Sequence, residues 1–254
     1  MPILWRGGVR LFYEVHGTVD GRTPVLLTHG YSASSQMWQP NLTALAAGRR
    51  LITWDIRGHG RSDSPEDPAL YSEELSVGDM SALLDAEGID RAVVAGLSLG
   101  GYLSLAFHMR YPERVAALML FDTGPGFRRD DAREEWNRRV ERIAAGFDVQ
   151  GPDALPDRQE VAGAQHSSSA GLARAARGIM PQHGSHVIDS LPRISVPTLV
   201  LVGADDKPFL AASEYMAAKI PGARRVVIHD AGHAANVDQP KAFNRAVLDF
   251  LEAT

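Results

Sequence analysis

The chain contains no cysteine, which excludes disulfide staples, thiolate nucleophiles and Cys-ligated metal sites before any pattern is read. Long apolar runs are missing too; none approaches the length a transmembrane helix requires. The opening Met1-Pro2-Ile3-Leu4-Trp5-Arg6 lacks the basic start and apolar stretch of a secretory signal. A cytoplasmic protein with no membrane partner is the expectation. There is no excess of positive charge: 26 Lys and Arg stand against 31 Asp and Glu, for a net charge of -5. Nothing electrostatic therefore points to nucleic acid or an anionic surface as a partner. The pairs Arg128-Arg129 and Arg138-Arg139 have acidic neighbours and read as solvated helix faces. What is present is an ordinary globular composition, 44% apolar and 22% charged over 254 residues, enough for one sizeable core.

Short β-branched runs alternate with longer amphipathic segments, which argues for an α/β protein with parallel strands joined by crossover helices. The runs Val25–Thr28, Arg50–Asp55, Ala92–Gly96, Ala117–Asp122, Thr198–Gly203 and Arg225–His229 are nearly continuous in apolar residues, as a sheet covered on both faces requires. The alternation of Val9, Leu11, Tyr13 and Val15 predicts a half-exposed antiparallel strand at the sheet edge. Helices are expected over Asn41–Ala47 before Gly48, over Ser72–Glu87 before Gly88, and near the C-terminus on the Phe243, Val247, Leu248, Leu251 face. Residues 124–191 break this alternation with Gly124-Pro125-Gly126, a charged helical stretch and a serine run. They read as a small helical cap inserted into a core made of 1–123 and 192–254.

Gly96-Leu97-Ser98-Leu99-Gly100 lies directly between an apolar strand and a helical pattern, the context a G-x-S-x-G elbow demands. Such a turn lifts Ser98 clear of the sheet and places it at a helix N-terminus, where the Leu99 N–H can face a developing oxyanion. A phosphate loop is the competing reading of a glycine-rich turn, but G-x-x-x-x-G-K-[ST] is absent, and no cofactor or metal is expected. A serine needs a base. Of nine histidines, His233 lies between the last strand and the last helix, at the sheet edge where the elbow opens. The base needs a carboxylate, and the strand ending at Gly203 delivers two, Asp205 and Asp206, of which one should face His233. A second oxyanion donor is expected in the N–H of Tyr31, after Gly30, with His29 holding the loop. Trp38, Phe127, Trp136, His166 and Met180 are candidate substrate contacts, and Arg177 could reach a substrate carboxylate from the cap. No other cationic cluster is evident beside the elbow, which disfavours highly anionic substrates.

Together these pieces resemble the α/β-hydrolase superfamily over essentially the whole length. The resemblance rests on His29-Gly30-Tyr31, on Asp55-Ile56-Arg57-Gly58-His59-Gly60-Arg61-Ser62, and on Gly96-x-Ser98-x-Gly100 followed by Gly203-x-x-Asp206 and Gly232-His233. It implies a mostly parallel central sheet of about eight strands with helices on both faces. It also implies a triad in the order Ser98, Asp206, His233; the family's spacing after the strand-end glycine selects Asp206 over Asp205. Within the superfamily the chain looks like the small bacterial esterases and enol-lactone hydrolases. The implied activity is hydrolysis of a small-molecule carboxylic ester or lactone. A C–C bond hydrolase acting on a vinylogous ketone and a non-catalytic ligand receptor on the same fold are the alternatives. Dehalogenase and epoxide hydrolase relatives need an aspartate where Ser98 stands.

Overall fold

A computed structural model describes residues 2–18 and 21–254. Its centre is an eight-stranded sheet in the order β1-β2-β4-β3-β5-β6-β7-β8. The strands are β1 Ile3–Arg6, β2 Val9–His16, β3 Val25–Thr28, β4 Leu51–Trp54, β5 Ala92–Leu97, β6 Val115–Phe121, β7 Thr198–Gly203 and β8 Arg224–Ile228. From β4 to β8 every pairing is parallel, whereas β2 pairs antiparallel with both β1 and β4. The expected edge strand is therefore one place in from the edge. The four-residue β1, reached through the turn Gly7-Gly8, is the true edge, and it is too short for its alternation to stand out.

Ten α-helices accompany the strands in the described residues: α1 Gln39–Leu45, α2 Glu73–Ala86, α3 Leu99–Arg110, α4 Asp130–Gln150, α5 Gln159–Ala162, α6 Ser169–Ile179, α7 His186–Ser190, α8 Lys207–Lys219, α9 Ala235–Asp238 and α10 Pro240–Glu252. The start of α2 is fixed locally: Ser72 caps it by accepting from the Leu75 N–H at 3.0 Å, and Glu73 and Glu74 sit in its first turn, where the helix dipole favours negative charge. Side chains alternate across the sheet, so Leu26 and Val94 join one apolar cluster while the adjacent Leu27 and Val93 join the other. Residues of α2, α3 and α8 complete the first cluster; residues of α1 and α10 complete the second. Burial on both faces explains why these strands read as unbroken apolar runs.

The segment between β6 and β7 carries α4 to α7. Val140, Ala144 and Phe147 of α4 and Leu172, Ala176 and Ile179 of α6 are buried within the first cluster, so this segment is packed onto the sheet's α2/α3 side. Its polar ties are specific: Trp136 Nε1 donates to Met180 O at 2.8 Å, and Arg177 pairs with Glu141 and Asp148.

A buried ion pair anchors the turn that follows β4. Arg57 and Asp79 of α2 are both essentially inaccessible, Arg57 Nη2 donating to Asp79 Oδ1 at 2.9 Å, and Arg6 Nη1 reaches the same carboxylate at 2.8 Å. Two guanidinium partners compensate the desolvation of one carboxylate. No described helix is long and apolar enough to cross a membrane.

Candidate active site

The strand order reverses at β3, which is flanked by β4 on one side and β5 on the other. In a parallel sheet a crevice opens at such a switch point, beyond the C-terminal ends of the strands. Thr28 and Gly96 are register partners, so the loops that leave β3 and β5 set Gly30 and Ser98 side by side. A Cβ added to Gly30 would lie 3.4 Å from that of Ser98.

Ser98 occupies φ 54, ψ -113, a strained conformation for a residue with a side chain. Several contacts impose it. Its N–H donates to Phe121 O at 2.9 Å, and its carbonyl accepts from Thr123 Oγ1 at 2.6 Å and from the Tyr102 N–H at 3.1 Å. The elbow also depends on missing side chains: a Cβ at Gly96 or Gly100 would come within 3.0 Å of backbone, of Gly100 and Thr28 respectively. Leu99 begins α3, so its N–H has no intrahelical acceptor and is available to an anion.

On the other side, the β7 and β8 loops are locked together. A Cβ at Gly203 would strike the backbone of Ala231 and Gly232, and the Asp205 N–H donates to Ala231 O at 2.9 Å. This brings Asp206, which is buried, to His233: Oδ2 lies 2.8 Å from Nδ1. Asp205 faces solvent instead. A carboxylate at Nδ1 holds the proton there and leaves Nε2 with its lone pair. Phe209 stacks on the imidazole at 5.0 Å between ring centres. Asp122, at the end of β6, accepts from the Gly203 N–H at 2.7 Å and so pins the start of the Asp206 loop. Burial, reinforced by the neighbouring Asp206, holds the Asp122 carboxyl well above the usual carboxylate range.

Ser98, Asp206 and His233 line one cavity of about 600 Å³ together with Tyr31. A contiguous recess of about 160 Å³ adds Leu99, Tyr102, Thr123 and Gln182. Of the candidate substrate contacts, Phe127, Trp136 and Met180 line both spaces. Two other candidates are elsewhere. Trp38 is fully buried under the opposite face of the sheet, against Phe121 and Phe243; an aromatic in an irregular segment near the site loops turned inward to the core. His166 is absent from the lining, both ring nitrogens being bonded to backbone of the core. Arg177 is committed to Glu141 and Asp148 and does not line the cavity.

The structure also brings in residues the sequence did not mark. Arg139 and Arg142 of α4 and Arg158 reach the cavity wall, which corrects the expectation that no cations gather near the elbow. Arg142 pairs with Glu135, and Arg158 stands 3.9 Å from the buried Glu160. Phe209 had no signal beyond its position three residues after Asp206. Arg139 and Arg142 were legible only as helix-surface charge, and Arg158 carried no signal.

Residues 25–246 match the model of the alpha/beta hydrolase family. The chain is 32% identical to a Variovorax paradoxus (strain S110) protein named "Putative carbamate hydrolase RutD", covering 95% of this chain and 96% of that one. It is 31% identical to a solved thermophilic esterase from Thermogutta terrifontis, with TM-score 0.80 over 99% of this chain and 96% of the other. It also resembles the enol-lactonase of Burkholderia xenovorans LB400 at 26% identity and TM-score 0.80, covering 99% and 100%. The chain belongs to the alpha/beta hydrolase family.

Proposed function

We propose that this protein is a serine hydrolase that cleaves a carboxylic ester or lactone through an acyl-enzyme on Ser98. The observation that carries the reading is the 2.8 Å His233 Nδ1–Asp206 Oδ2 bond in the cavity that the strained Ser98 elbow also lines. With Nδ1 occupied, Nε2 of His233 takes the Ser98 proton as Oγ attacks the carbonyl carbon. The oxyanion is met by the N–H groups of Tyr31 and Leu99, each worth about 3 kcal/mol of barrier by analogy with other oxyanion holes. His233 then protonates the leaving alkoxide. In the second half it activates water to release the acid. Residues 124–191 act as a cap whose Phe127, Trp136 and Met180 select an apolar acyl or alcohol portion. Arg139, on the rim and without an ion pair among the described residues, accepts a carboxylate carried by the substrate's far end.

The test is multiple-turnover hydrolysis of p-nitrophenyl esters, lactones and aryl carbamates, with each ester offered with and without a terminal carboxylate. Turnover that falls to background in Ser98→Ala, and a KM for carboxylate-bearing esters that rises several-fold in Arg139→Ala but not for neutral ones, are the expected results. An unchanged Ser98→Ala variant would remove the mechanism. Binding without turnover would point to a receptor.

A further inference from the structure

The loop that presents Tyr31 is a tight turn: the Ala33 N–H donates to Gly30 O at 3.2 Å. Ser32, its third residue, has φ 59, while Tyr31 is not in the positive-φ region. That combination is a type II turn, whose third position ordinarily belongs to glycine or asparagine. A serine there is strained, and something outside the turn must hold it.

His166 does so from the insert, in the stretch between α5 and α6. Its Nδ1 lies 3.0 Å from the Gly60 nitrogen and its Nε2 lies 2.9 Å from Ser32 O. The Gly60 N–H can only donate, so Nδ1 keeps its lone pair and the ring proton sits on Nε2, donating to the Ser32 carbonyl. One imidazole thus ties the strained turn to the loop after β4. That loop is itself rigid, because the Asp55 carboxylate accepts from the Ser35 and Arg61 N–H groups at 2.7 and 2.8 Å. The His59 ring fills the space behind, 5.9 Å from His166 and 5.3 Å from Tyr31. The Tyr31 hydroxyl is tied to the insert as well, donating to Leu172 O at 2.9 Å.

We infer that His166 is a positioning residue for catalysis: by holding the Ser32 carbonyl it fixes the type II turn that aims the Tyr31 N–H at the oxyanion, so that seating of the insert completes the oxyanion hole. The inference rests on the acyl-enzyme reading above. His166 touches neither substrate nor Ser98. Its loss should act on the transition state and leave ground-state binding alone.

The test compares wild type with His166→Phe, which keeps an aromatic ring and removes both bonds. A trifluoromethyl ketone, whose hemiketal with Ser98 carries the oxyanion, serves as the probe. Wild type should bind it and Ser98→Ala should not; failure of that control would sink the acyl-enzyme reading and leave the role of His166 a separate matter. In His166→Phe, kcat should fall roughly 10- to 100-fold with KM within threefold. Affinity for the ketone should fall by the same factor as kcat/KM. An unchanged kcat, a rise confined to KM, or a kcat loss without loss of ketone affinity would each overturn the inference. A second measurement needs no variant: long-range ¹H–¹⁵N NMR of the wild-type enzyme should find the Nε2–H tautomer of His166, and an Nδ1–H tautomer would overturn it.

Discussion

Lowering the pH from 7 to 5 should remove about 2 kcal/mol of folding stability through His29 alone. The ring is inaccessible to solvent, and both its nitrogens are committed. Nε2 accepts from the Ile56 N–H at 3.0 Å, so the proton is on Nδ1, donating to Gly30 O at 2.7 Å. An added proton on Nε2 would confront the Ile56 N–H. Burial is the largest influence on its pKa, which is lowered to about 4; Asp55 opposes the shift but does not offset it. In the unfolded chain the same group titrates near ~6.5. Between these values the unfolded state takes a proton that the native state refuses. The contribution is therefore complete above the unfolded pKa, declines as the pH falls, and is fully lost below the native one. The whole span is 6.5 − 4, about 2.5 units or roughly 3.4 kcal/mol, of which about 2 is lost by pH 5. That is a large share of a net stability on the order of 5–15 kcal/mol. Urea unfolding of wild type and His29→Gln at pH 7 and pH 5 measures it by difference, because His59, His108, His166 and Asp122, whose pKa values burial also shifts, are common to both proteins. His29→Gln should start less stable at pH 7 but lose about 2 kcal/mol less than wild type on acidification. Parallel decline of the two proteins would refute the reasoning.

Two further substitutions separate neighbouring roles. Asp206→Asn should lower kcat for a p-nitrophenyl ester by several orders of magnitude, because an amide can stabilise the wrong imidazole tautomer; Asp205→Asn, at a solvent-facing position, should leave steady-state rates within about twofold, and the reverse pattern would reassign the acid. Asp79→Ala should cost about 3–5 kcal/mol in urea unfolding, because it strands the buried Arg57 guanidinium without its carboxylate; a loss below about 1 kcal/mol would show that Arg57 finds another partner.

Much of the fold was legible because strand burial on both faces writes itself into sequence as unbroken apolar runs. Val25–Thr28 and Thr198–Gly203 were found at their observed bounds. β1 was not, since four residues of mixed exposure leave no period to read. Within the site, Ser98 and Gly100 were visible because a strained elbow restricts which residues can surround it. His233 stood out because it follows the strand that ends at the elbow's sheet edge; Asp205 and Asp206 stood out together for the same reason, and only the family resemblance separated them. The hydrogen bond between His233 and Asp206 depends on close approach of the β7 and β8 loops at Gly203, and no spacing rule states that distance. The cavity wall was least legible. Helix α4 buries only Val140, Ala144 and Phe147 while turning Trp136 and Arg139 to the cavity; from sequence its face toward the site cannot be told from its face toward water. Trp38 and His166 were candidates for the pocket on residue type and approximate position. One packs beneath the sheet and the other is consumed by backbone partners.

The central claim, that Ser98 is the nucleophile, is tested most directly by a fluorophosphonate that forms a stable adduct with an activated serine. Peptide mapping of the inactivated wild-type protein should place one adduct on Ser98, with ester turnover lost in proportion to labelling. Ser98→Ala should take up none. An adduct on any other residue, or turnover that survives complete labelling of Ser98, would contradict the account.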